Sequence, residues 1–215
     1  MLAEYRLEHI IEDQREKKYI HSLIKDIEMY IASLQIHYEN RKQHINYLDS
    51  LKNLLKHDHK NHLNDVYFYA RHIARFPTFQ YHDRTIQQLK NSGNFRLIRN
   101  ENAADSITVY DNEKIKSLLS TQEGEFELRR LISRNLLGKI FDPFVWSEIS
   151  DSAAKITRPA GNPLLLTDDP GLLNEFCYNV VLVRGSTAFT NRLIANALIS
   201  AKNLLELLRK EYNLD

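Results

Sequence analysis

All nine histidines of the 215-residue chain fall between His9 and His82, and their densest group is the first candidate for chemistry. His57, Asp58, His59 and His62 would offer three imidazoles and a carboxylate to zinc, copper or nickel. Their spacing matches no established metal signature. The surrounding run from His57 to Asn61 is polar and rich in cap-forming side chains, so it reads as an exposed turn carrying surface imidazoles. A metal-binding protein or metal-dependent enzyme built on His57, His59 and His62 stands as the alternative. His9, His21, His37 and His44 sit among charged residues and are expected to be solvated or half-buried along the flank of a helix.

Other constellations are weaker. Gly185-Ser186-Thr187 does not form the Gly-x-Ser-x-Gly elbow of a hydrolase. Cys177 has aromatic neighbours and no local cation to activate it, so it reads as a buried structural thiol. Asp168 and Asp169 precede Pro170 and are expected to cap a helix. The six glycines are scattered, and no phosphate-cradling loop occurs. Tyr67, Phe68, Tyr69, Phe76, Phe79 and Tyr81, with Arg71, Arg75 and Arg84 nearby, would suit stacking on bases or a planar ligand. Core packing is the favoured reading. No catalytic, cofactor-binding or metal-ligating residue is assigned, and a non-enzymatic role is expected.

Composition narrows the class. Lys and Arg total 29 against 28 Asp and Glu, a net charge of +1, without the basic excess of a dedicated nucleic-acid binder. Apolar residues make up 43% and charged residues 27%, the profile of a folded domain. Only 6 glycines and 5 prolines occur, too few for the many turns of a sheet protein. The single cysteine cannot form an intrachain disulfide. No stretch approaches the roughly 20 apolar residues that span a bilayer.

These side chains would be carried on helices. Ile20, Ile24, Ile27, Ile31, Leu34, Tyr38, Ile45, Leu48 and Leu55 recur at steps of three, four and their sums, with Arg41 and Lys52 as interruptions. The pattern predicts one amphipathic helix over about 2–56, about 80 Å long at 1.5 Å per residue. Shorter helices are expected within 62–141: one over 62–75 ending at Phe76-Pro77, and one over 82–91 stopped by Ser92 and a left-handed Gly93. Another is capped by Asn100, runs to about Ser120, breaks or bends near Gly124 and resumes over 125–141, where it buries Leu128, Leu131, Ile132, Asn135 and Leu136. Asp142-Pro143 marks a corner. Residues 142–168 read as an irregular packed segment with a short helix over 145–154. A last long helix over 170–212 bends at Gly185, and Leu193, Ala197, Ser200, Leu204, Leu207 and Leu208 keep its spacing. The expected fold is all-α: a single domain over 1–215, an elongated helical bundle framed by the long N- and C-terminal helices, with shorter helices inserted.

Several segments resemble a family of uncharacterised proteins common in Bacteroidetes, a helical domain normally preceded by one transmembrane helix. They are Glu4 to Glu8, Glu16 to Ile27, Leu89 to Asn100 with its Ser-Gly, Leu-Ile and Asn signature, and Asp169 to Asn174. The resemblance implies a membrane-tethered, extracytoplasmic (periplasmic) domain whose anchor is missing from this chain. It lends no catalytic residues. The expectation is therefore a non-enzymatic, membrane-anchored module that senses a ligand or docks a protein. The partner would be another protein or a second copy along the long helices, a homodimeric coiled-coil scaffold being one form, with no nucleic acid.

Overall fold

The computed structural model describes every residue except 1, 75–77, 80, 82, 92, 150–154 and 215, and for 2–5 the backbone alone. The described residues form helices and connecting turns with no strand, so the all-α class stands. In chain order the helices are α1 (Leu2–His57), α2 (Leu63–Ala74), α3 (Arg84–Asn91), α4 (Glu101–Val109), α5 (Lys116–Ile132), α6 (Gly138–Ile140), α7 (Pro143–Glu148) and α8 (Pro170–Tyr212). No described helix is long and apolar enough to cross a membrane.

Local chemistry explains most boundaries. Asn100 accepts from Ala103 N–H at 3.0 Å and starts α4. Gly93 adopts φ +66°, the left-handed conformation that costs glycine nothing. Asp142 accepts from Phe144 and Val145 N–H, and Pro143 occupies the first position of α7. Asp169 accepts from Leu172 N–H at 2.7 Å to start α8, as its position beside Pro170 predicts. The Asn162 side chain caps α2 from 99 residues away in sequence, accepting from Leu63 N–H at 2.6 Å and Asn64 N–H at 3.2 Å.

Two expectations are corrected. The helix does not break at Gly124: α5 runs through it, because one glycine costs a helix only about 1 kcal/mol while Gln122 and Glu125 on either side are buried. The interruptions are instead two π-helical stretches, Tyr110–Ile115 and Ser133–Leu137. The buried face of this region matches the expectation at Ile132 and Leu136 and departs from it at two positions. It carries Leu118, Gln122, Glu125, Arg129, Ile132 and Leu136, whereas Leu131 and Asn135 are exposed. The short helix after the corner spans Pro143–Glu148. The expected stops at Phe76-Pro77 and Ser92 lie outside the described residues, as does the stretch 150–154.

The chain folds as two compact units, each sewn from separate stretches. The first comprises 1–37, 79–119 and 193–215, the second 38–78 and 120–192. Ile20, Leu23, Ile27 and Leu34 of α1 are buried in the first unit with Ile107, Leu118, Ala197, Leu204 and Leu208. The second has a core of Leu48, Leu51, Val66, Tyr67, Ile73, Ile140, Phe141, Phe176, Val180 and Val183. Each such aliphatic or aromatic side chain contributes about 1.5–3 kcal/mol on burial. Within the second unit Arg184 of α8 pairs with Asp49 of α1, and within the first Tyr212 donates to Glu16.

Candidate functional site

The strongest concentration of charge lies inside the second unit, on residues whose types read as surface. Arg41 on α1, an apparent interruption of the apolar seam, is buried within it, 1% exposed. Its Nη1 donates to Glu125 Oε2 at 2.7 Å. Arg129, one turn beyond Glu125 on α5, donates to Glu125 Oε1 through Nε at 3.1 Å and Nη2 at 2.9 Å. Thr187 donates to the same oxygen at 2.7 Å and Thr190 to Oε2 at 2.8 Å. Glu125 is thus enclosed by donors from α1, α5 and α8.

Arg129 also reaches the end of α2, donating to the carbonyls of His72 and Ile73 at 3.3 Å, which an ending helix leaves without intrahelical partners. Its Nη1 lies 3.1 Å from His44 Nε2. Since a guanidinium only donates, His44 accepts there as the neutral imidazole. Burial, reinforced by Arg129, pushes His44 down to about 2 and His72 down to about 4. Burial also lowers Arg129, to about 10, against the pull of Glu125. For Glu125 burial opposes the charge, but Arg129, Arg41 and their hydrogen bonds outweigh it and hold the carboxyl below its usual range. His44 is therefore a buried acceptor and not the flank residue its neighbours suggest.

The first unit holds smaller polar groups, among them those around Asp111 and Glu16. Asp111, 3% exposed, accepts from Tyr81 at 3.0 Å and from Lys90. Tyr30 stacks on Tyr81 with ring centroids 4.7 Å apart. Burial raises the Tyr30, Tyr81 and Tyr110 phenols, so all three stay protonated. Glu16 accepts from the backbone N–H of Arg99 at 2.9 Å and its Nε at 3.0 Å, fixing the apolar connection before α4.

The expected sites separate. His57 ends α1, His59 begins a 3₁₀ turn with Lys60 and Asn61, and His62 precedes α2. His62 Nε2 lies 3.3 Å from Asp58 and Nδ1 4.0 Å from Asp65. Among the described residues no three His, Cys, Asp or Glu side chains are grouped to hold a metal. A cleft of about 380 Å³ beside His59 is walled by Leu63, Leu164, Leu165 and Leu166 and opens past Lys60 and Asp168. Tyr67 is core in the second unit, donating to Leu164 O and accepting from Asp142 N–H. Phe79 and Tyr81 belong to the first unit, and Phe76 lies outside the described residues. Arg71 stands over Trp146 at 4.9 Å. Cys177 is half-buried. Thr187 is absorbed into the Glu125 cluster, wholly buried and hydrogen-bonded to that carboxylate.

Exposed apolar side chains include Phe144, Leu164 and a group on the outer face of α8. Tyr178 is 63% exposed, and Val181, Leu182 and Phe189 are exposed with it. They recur at helical spacing with Gly185 among them, and Arg192 lies over the Phe189 ring at 5.0 Å. Their opposite neighbours Phe176, Val180, Val183 and Thr187 are wholly buried, so this stripe is the unburied side of a helix already packed. No protein-family model, curated protein or solved structure matches the chain.

Proposed function

We propose that this chain is a non-enzymatic helical module that docks a protein through the outer face of α8. The observation that carries this is the apolar stripe Tyr178, Val181, Leu182 and Phe189, left exposed on a helix whose other side is core. Contiguous exposed apolar surface of this kind marks interaction sites. The groups best suited to acid–base work support the same view: Glu125, Arg129 and His44 are buried and engaged with one another, and Asp111 is buried against Tyr81 and Lys90. A general base must reach a substrate, and these face protein on every side.

Site-specific photocrosslinking tests the reading. A benzoylphenylalanine at position 182 should trap a protein adduct in the native host, while the same group at exposed Asn53 on α1 should trap none. No adduct at position 182, or equal trapping at both positions, sinks it.

A further inference from the structure

We propose that the occupant of this face is a second copy of the same chain, its α8 laid antiparallel across the first; the inference rests on the docking role of α8. Glu175, Tyr178, Leu182, Gly185, Phe189 and Arg192 follow one another at steps of three, four, three, four and three, and all six are exposed. That is the seam repeat of a two-helix coil, about 27 Å long at 1.5 Å per residue.

The seam is self-complementary about one point, midway between Val183 and Arg184. Turning a second helix about that point brings Glu175 opposite the second copy's Arg192. Tyr178 comes opposite Phe189, and Leu182 opposite Gly185. Each match occurs twice. Opposite charges close both ends, aromatic rings pair next, and at the centre a large side chain meets a residue with none. Among the described residues neither Glu175 nor Arg192 has an ion pair within its own fold, which leaves both charges available. A parallel pair would set Glu175 against Glu175 and Arg192 against Arg192, so charge selects the antiparallel sense.

Gly185 gives the independent argument. It lies inside a 43-residue helix, where glycine is less favourable than alanine. A Cβ added there would meet nothing within 4 Å, so its own fold has no need of a glycine at that position. A facing Leu182 does need it, as the hole that a knob enters.

Sedimentation velocity on the purified full chain tests the proposal at low salt. Wild type should form a dimer. Glu175→Arg and Arg192→Glu should each weaken it about tenfold, because two attractive contacts become repulsive, and the double variant should restore it. Gly185→Leu should also weaken the dimer while its melting temperature, read in parallel by circular dichroism, holds or rises. A wild-type monomer at the highest attainable concentration overturns self-pairing, as does a dimer that the double charge swap fails to rescue. If the chain is monomeric yet position 182 still traps another protein, the docking role survives and only self-pairing falls. If nothing is trapped either, both fall.

Discussion

The Arg41 guanidinium and the Glu125 carboxylate meet at 2.7 Å with each side chain 1% exposed. Arg129 completes the cluster from the other side of the carboxylate, so one anion serves two buried cations. Removing one member of a buried ion pair leaves an uncompensated charge, at a cost of about 3–5 kcal/mol. Glu125→Gln keeps the shape and deletes the charge. It should lower the free energy of unfolding by about that amount in urea titrations. A loss under about 1 kcal/mol would show that the cluster is solvated.

Acid should destabilise the protein well before carboxylates alone would act. His44 and His72 are held neutral in the fold, at about 2 and about 4 against an ordinary 6.5. The unfolded chain takes up both protons as pH falls through 6.5, whereas the folded chain resists. Full stability is therefore present above pH 6.5. Between 6.5 and 4 it is lost at up to about 1.4 kcal/mol per pH unit for each histidine. Urea midpoints followed by Trp146 fluorescence at pH 7.5 and pH 5 should fall accordingly, and His44→Gln should flatten the slope. Equal midpoints at both pH values would contradict the assignment.

Asn162 should matter more than its exposed loop position suggests. Its carbonyl oxygen accepts from two N–H groups at the start of α2, and its amide donates to Lys60 O at 3.0 Å. Asn162→Ala should cost about 1–2 kcal/mol, the loss of a helix cap, and should speed hydrogen exchange at Leu63 and Asn64. Unchanged exchange there would mean that water replaces the cap.

Gly185→Ala should stabilise the chain by about 0.5–1 kcal/mol, because the added methyl enters open space. Thermal melts of wild type and variant at matched low concentration, where self-association is minimal, measure this gain. A destabilised variant would mean that α8 is distorted at that residue.

The parts of the fold set by neighbouring residues were legible in the sequence. The Asn100 and Asp169 caps, the Gly93 stop and the Asp142-Pro143 corner depend on residues a few positions apart, and all four occur as their types predict. The buried cluster was not legible, because arginine, glutamate and histidine are ordinarily surface residues and only tertiary packing turns Arg41, Glu125 and His44 inward. The same blindness left the α5 face half read: Ile132 and Leu136 are buried as expected, whereas Glu125 and Arg129 take the inward places and Leu131 and Asn135 are exposed. The π stretches at Tyr110–Ile115 and Ser133–Leu137 carry no glycine or proline to announce them. The exposed α8 stripe was masked differently, since Tyr178, Leu182 and Phe189 have the composition of core.

The first unit draws on 1–37, 79–119 and 193–215. Residues 193–215 supply Ile194, Ala197, Ala201, Leu204 and Leu208 and are the last of these to leave the ribosome. Residues 38–192 contain every stretch of the second unit and emerge earlier. Vectorial synthesis therefore lets the second unit condense while the first still waits for its closing stretch. Until that stretch arrives, the apolar core of the first unit is incomplete, a state for nascent-chain chaperones to hold.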